Sequence, residues 1–296
     1  MTGFRAKAKT SIVLLSLASA PLSAQAPPDT GAFALITRND LIFTAAFMAA
    51  SYGVSRFDLR VARFLQDSSN LPSGFTTGSA QAFNAIGFPG AVVLTGGMYL
   101  AGKITGSESL ADAGLHGGEA VVLAALATYA GKIAFGRKRP TPWGTGDPND
   151  FKLGRGLRGE TYSSFPSGHS ALAFAAAGAL TTEISSRSSG VAPFAAVPIF
   201  GAAALVAWAR LESNKHWISD VFVGAGLGTM IGIKTVRWNH KHPANRLDRA
   251  LLRGQGGVLE WTPALGLAWT WRPRWFTGRP GAMKVAPVVR MMPRSR

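Results

Sequence analysis

Six apolar stretches of helical length, at roughly 33–54, 80–102, 117–136, 168–184, 191–209 and 218–235, leave this chain few ways to fold. Gly and Ala dominate them, so the helices they predict pack closely, in a membrane or in a compact bundle. Charged residues make up only 16% of the chain, below the roughly 25% usual in soluble proteins. Val191 to Ala209 gives 19 uncharged residues in a row, close to the roughly 20 that spanning requires. Gly224, Gly228 and Gly232 repeat every four residues, the small-residue seam of packed membrane helices. Cysteine is absent, which excludes disulfides and thiolate metal sites.

The first 26 residues have the pattern of an export signal or an N-terminal anchor, with Arg5, Lys7 and Lys9 ahead of an apolar run from Ser11 to Leu22. One catalytic domain is expected over residues 30–240, followed by a basic extension over 241–296. In that extension Leu265, Leu267, Trp269 and Trp271 alternate with small residues, a strand signal. The net charge of +16 suggests nucleic acid first, but the basic residues cluster beside the motifs below and in the tail. No pattern of basic and stacking residues accompanies them. Phosphorylated substrates and anionic head groups account for the charge better, and nucleic acid is not expected as a partner.

Three clusters carry chemistry. Seven positions separate Lys132 from Arg139, about two helical turns, which predicts both on one face of a helix that Pro140 then stops. A Lys point charge and a bidentate Arg fork suit a phosphate. Pro166-Ser167-Gly168-His169 opens the fourth stretch, where Ser167 and Gly168 can offer hydroxyl and N–H groups to an anion. His169 at the same end can protonate a leaving alkoxide. In the third cluster His216 and Asp220 form an i,i+4 pair behind Arg210. The carboxylate is expected to accept the Nδ1–H of His216 and so leave Nε2 free to attack phosphorus.

In order and spacing, these segments resemble the three signature motifs of the type-2 phosphatidic acid phosphatases, whose superfamily includes bacterial acid phosphatases and vanadium haloperoxidases. The resemblance spans about residues 110–235. It implies an all-α six-helix bundle with the site at one end. It also implies a phosphatase in which His216 is the nucleophile, Asp220 orients it and His169 is the general acid. Lys132, Arg139, Ser167, Gly168 and Arg210 would hold the phosphoryl oxygens. One departure is Ala209, where the family has a Ser whose hydroxyl supports the following Arg.

Neither a cofactor nor a metal is expected, since nothing in the chain resembles a carboxylate cage. The substrate is a phosphorylated lipid, such as phosphatidic acid or undecaprenyl pyrophosphate, or a small phosphate ester. The alternatives are a soluble periplasmic acid phosphatase, a vanadate-dependent haloperoxidase and a non-catalytic lipid-binding protein. The location is the cell envelope, either periplasmic or in the inner membrane with an extracytoplasmic site. That side follows from the basic 234–253 segment, expected inside, at the opposite helix ends from the motifs. The 141–165 loop joins two motifs and is expected to act as a lid, with Arg155 and Arg158 attracting anions.

Overall fold

The computed structural model describes residues 37–67, 73–141, 146–243, 245–252, 258–262 and 266–270, so the export signal expected over 1–26 lies outside the described residues. The chain divides into two compact units, Met1–Phe43 and Thr44–Arg296. In the first, the described residues open helix α1 (Arg38–Ser55), where the Asp40 carboxylate accepts the Thr37 N–H at 2.7 Å and the Thr37 hydroxyl at 2.8 Å.

The second unit is built of α-helices with one two-stranded hairpin. After the rest of α1 come α2 (Asp58–Gln66), α3 (Ser73–Thr105), α4 (Glu108–Phe135), α5 (Gly168–Arg187), α6 (Ala192–Glu212), α7 (Ile218–Lys241) and α8 (Arg246–Leu251). Among the described residues each of the six expected stretches overlaps a long helix, and the short α2 and α8 are additional. Of the Leu–Trp alternation, Leu267 and Trp269 fall on β2 (Gly266–Thr270), which pairs antiparallel with β1 (Val258–Thr262), while Leu265 and Trp271 lie outside the described residues.

Helices α5 and α7 form the central pair, and glycine decides how they meet. A Cβ on Gly224 would sit 2.4 Å from the Ser167 carbonyl oxygen, one on Gly228 2.1 Å from that of Ala171, and one on Gly232 2.3 Å from that of Ala175. The partners advance in step, four residues at a time, so the two helices run parallel with both N-termini at the same end. Helix α4 packs antiparallel against α5, and its Ala120, Val121 and Ala124 join Ala171, Leu172, Ala175 and Val236 in the core. The C-terminal ends of α4 and α6 therefore meet the N-terminal ends of α5 and α7.

Outward faces are unusually apolar. Val93 of α3, Leu126 and Tyr129 of α4, and Phe194 and Val197 of α6 are each more than 60% exposed. Helices α4 and α6 are long and apolar enough to cross a membrane by length and composition. Phe47 of α1 stacks on Phe222 of α7, with ring centroids 4.9 Å apart.

The seam gives a direct test. In Gly228→Val the new side chain meets backbone that cannot move aside, and stability should fall by on the order of 3 kcal/mol. Gly97→Ala, with nothing within 4 Å of its Cβ, should leave thermal unfolding unchanged. Equal melting of the two variants would show that the seam is not close-packed.

Candidate active site

At the end where the four helix termini meet lies a cavity of about 460 Å³. Six residues singled out in the sequence line it: Lys132, Arg139, Gly168, His169, Arg210 and His216. Glu160, Ser163 and Lys215 also line it and were not anticipated.

Lys132 and Arg139 arrive by a route the helical spacing did not foresee. Helix α4 ends at Phe135, and Gly136 takes a left-handed conformation (φ 49°) with its N–H on the Lys132 carbonyl. Pro140 is therefore not what stops the helix, and Arg139 stands on extended chain. That chain is fixed by Lys138 N–H to the Asp150 carbonyl (3.0 Å) and Arg139 N–H to that of Thr161 (2.8 Å). The two cations still converge: the Lys132 ammonium donates to the Ser163 carbonyl, and Arg139 Nη2 lies 3.3 Å from the Ser163 hydroxyl.

His216 is buried between α6 and α7, and its Nδ1 lies 2.7 Å from the Ser164 carbonyl oxygen. A carbonyl only accepts, so Nδ1 carries the hydrogen and Nε2 keeps its lone pair. Asp220, the expected partner, is 3.7 Å from Nδ1, too far for a hydrogen bond. Its oxygens are engaged elsewhere: Oδ1 with Arg137, Oδ2 with the Ser164 hydroxyl and the Trp217 N–H. The tautomer is thus set by the Ser164 backbone, while Asp220 holds Ser164 and the start of α7 in place. Burial above all, with help from Lys132 and Arg210, pushes the His216 pKa down to about 3 against the opposing influence of Asp220. The imidazole is neutral at any ordinary pH.

Arg137 is the largest buried cation below the cavity, 2% exposed. It bridges Asp220 and Asp58, the latter at 2.7 Å, donates to the Pro148 carbonyl and the Ser219 hydroxyl, and lies 4.7 Å from the centre of the Phe151 ring. Asp58, on the unforeseen α2, also accepts the Ser219 N–H and hydroxyl at 2.9 and 2.8 Å. Arg137 stands in the first motif between Lys132 and Arg139. Sequence reasoning could have found it only by asking which motif cation neutralises Asp220.

Ser167 does not line the cavity. It is fully buried, with its N–H on the Asp220 carbonyl at 3.0 Å and its hydroxyl 2.9 Å from that of Ser170. Its N–H is unavailable to an anion, and Gly168 forms the wall instead. Arg155 also departs from expectation. It is buried, donating to the Gly136 and Asp150 carbonyls and paired with the Asp150 carboxylate at 2.9 Å, with Tyr162 4.3 Å from its guanidinium. It pins the loop to the end of α4 rather than presenting a field to solvent. Asn214, at φ 54°, turns the chain from α6 toward His216 and donates to the Thr141 carbonyl.

Two comparisons bear on this geometry. The model of the PAP2 superfamily matches residues 114–244, a stretch that contains every cavity residue singled out above. A lipid A 1-phosphatase of Porphyromonas gingivalis is 36% identical over 103 residues, which is 35% of this chain and 18% of that protein. The chain thus spans about a fifth of the length of the curated relative it matches. No solved structure gives a significant match. With three motifs brought to one cationic cavity, the family model lies across all of them, and residues 114–244 are similar to the PAP2 superfamily.

Proposed function

We propose that this protein is a phosphatase that removes a terminal phosphoryl group from a phosphorylated lipid through a phosphohistidine at His216. The observation that carries the reading is the His216 tautomer: Nδ1–H is held by the Ser164 carbonyl, and Nε2 is left with a lone pair in a cavity lined by four cations, Lys132, Arg139, Arg210 and Lys215. In the first step the Nε2–P bond forms as the bond from phosphorus to the leaving oxygen breaks, and His169 supplies that oxygen with a proton. Water then attacks phosphorus, the N–P bond breaks, and the water's proton returns to His169. Lys132, Arg139, Arg210 and the Gly168 N–H stabilise the spread charge of the phosphoryl group, helped by the N-terminal ends of α5 and α7. Asp220 and Ser167 act behind the cavity wall as positioning residues.

A lipid substrate is favoured over a small ester by the apolar outer faces of α3, α4 and α6, which argue for a bilayer around the bundle. The named activity of the relative points to a phosphorylated glycolipid such as lipid A. We take the site to face the extracytoplasmic side, with the basic chain after α7 inside.

Phosphate release should continue in excess chelator at 25 °C and stop with vanadate. Loss in EDTA that Mg²⁺ restores would overturn the metal-free mechanism. His216→Ala should abolish turnover, and rapid-quench labelling should find acid-labile phosphate only when His216 is present. His169→Ala should retain part of its rate on p-nitrophenyl phosphate, whose leaving group needs little protonation, and far less on lipid A. If mixed micelles of lipid A and of phosphatidic acid both fail while p-nitrophenyl phosphate turns over, the lipid reading falls and the esterase chemistry stands.

Arg137→Met should be severely destabilising, by roughly 3–5 kcal/mol, because it leaves Asp58 and Asp220 buried without their shared cation. Thermal unfolding measures the loss.

The pH dependence has a definite sign. The unfolded imidazole binds its proton near pH 6.5, whereas the folded one does so only near 3. His216 thus contributes stability that is complete above about 6.5 and is lost as pH falls toward 3. In ring-labelled histidine NMR, the resonance that vanishes in His216→Ala should not titrate between pH 5 and 8. An inflection in that range would refute the neutral nucleophile.

A further inference from the structure

The far end of the bundle is closed by buried pairs, His116 with Glu183 at 2.6 Å and with Asp248 at 3.4 Å. The cavity end instead carries a short helix, α2, whose outer face the phosphatase chemistry does not use. It is fastened to the bundle at both of its ends. The Asp58 carboxylate, in its first turn, accepts the Ser219 N–H and hydroxyl at the start of α7. Gln66, its last residue, donates to the Glu212 carbonyl at the end of α6 at 3.3 Å. Both anchors lie at the cavity end, so α2 runs across that end rather than along a flank.

Its sequence divides the helix into two faces. Asp58 and Ala62, four residues apart, are buried against the bundle. At 3.6 residues per turn, Phe57, Arg60, Arg63 and Phe64 fall on an arc of about 120° on the opposite side. All four are exposed, Phe57 at 50% and Phe64 at 45%. Arg56, exposed in the turn before the helix, lies 3.5 Å from the hydroxyl of Tyr52, which is exposed in the last turn of α1. From Tyr52 to Gln66 every exposed charge is positive, and the single carboxylate, Asp58, points inward. Asp67 follows just past the helix and offsets one of the three arginines.

Aromatic rings interleaved with arginines on one face match a membrane boundary, where rings enter the edge of the acyl layer and guanidinium groups meet phosphates. The position matches as well. Helix α6 is long and apolar enough to cross a membrane, and its last residue, Glu212, is where α2 is tied. We propose that the outer face of α2 is an interfacial anchor that binds anionic phospholipid head groups at the cavity end of the bundle. The anchor rests on the lipid reading proposed above and extends it. It would hold the cavity mouth at the level where a phosphorylated lipid presents its phosphate. Through Asp58 the same helix grips Arg137, so the anchor and the floor of the cavity form one connected piece.

The chain has no cysteine, so Phe57→Cys in the full chain accepts a single nitroxide. The labelled protein is placed in phosphatidylcholine nanodiscs with and without phosphatidylglycerol. Electron paramagnetic resonance then reads access of the label to oxygen and to an aqueous nickel chelate. Phosphatidylglycerol should raise oxygen access and lower nickel access severalfold, as the label moves below the head groups. Adding Arg60→Gln and Arg63→Gln should weaken docking by roughly thirtyfold and remove the response, with circular dichroism unchanged. The charge-keeping pair Arg60→Lys and Arg63→Lys should retain it. A label open to nickel in both lipid compositions would overturn the proposal. So would a label shielded from both probes, which would mean that protein covers the face. A response that survives both Gln substitutions would overturn the anionic recognition. Turnover of p-nitrophenyl phosphate needs no lipid and should be equal in the Gln variant, so it tests the phosphatase reading separately.

Discussion

Helices α5 and α7 touch through backbone, and the cavity depends on that contact. Where Gly224 passes the Ser167 carbonyl, a methyl group would have to fit within 2.4 Å of oxygen, and the two following turns are as tight. This closeness brings the N-terminus of α5, with Gly168 and His169, beside the N-terminus of α7, with His216 and Asp220. It also lets the Asp220 carbonyl accept the Ser167 N–H, which joins the second and third motifs by a direct bond. A larger residue in the seam would part the helices, and with them the groups that line the cavity.

The floor of the cavity is a buried ionic layer, and its arrangement explains why His216 has a carbonyl partner. Arg137 draws Asp220 toward Asp58, so the carboxylate is oriented away from the imidazole and toward Ser164 and Trp217. The consequence is an indirect chain of support: Arg137 holds Asp220, Asp220 holds Ser164, and the Ser164 carbonyl holds His216. A neutral carbonyl leaves the imidazole uncharged, the state needed for attack on a phosphate. The cations stay in the cavity wall, where a phosphoryl group would develop charge.

Polar groups are concentrated at the two ends of the bundle, and the helix surfaces between them are apolar. The cavity end gathers Lys132, Arg139, Arg210 and His216; the other end gathers His116, Glu119, Glu183 and Asp248. Exposed Val, Leu, Phe and Tyr on α3, α4 and α6 lie along the helices between. This division suits a bundle whose flanks meet lipid and whose ends meet water, since buried ionisable groups are tolerated where they pair with one another.

The sequence alone determined the all-α architecture, the six long helices and the six cavity residues, because apolar periodicity and motif spacing are local properties. It also showed the glycine repeat of α7, though not what faces it. Only the tertiary structure decided the rest. Lys132 and Arg139 converge through the left-handed turn at Gly136 and the hydrogen bonds of a loop, which no helical spacing encodes. Arg155 looks like a free cation in the sequence and proves to be a buried pin, held by the Gly136 and Asp150 carbonyls, which have no residue signature, and by the Asp150 carboxylate. Asp58 is 79 residues from Arg137, and Asp248 is 132 from His116. Such partners are selected by which helix faces meet, and that depends on packing of the whole chain.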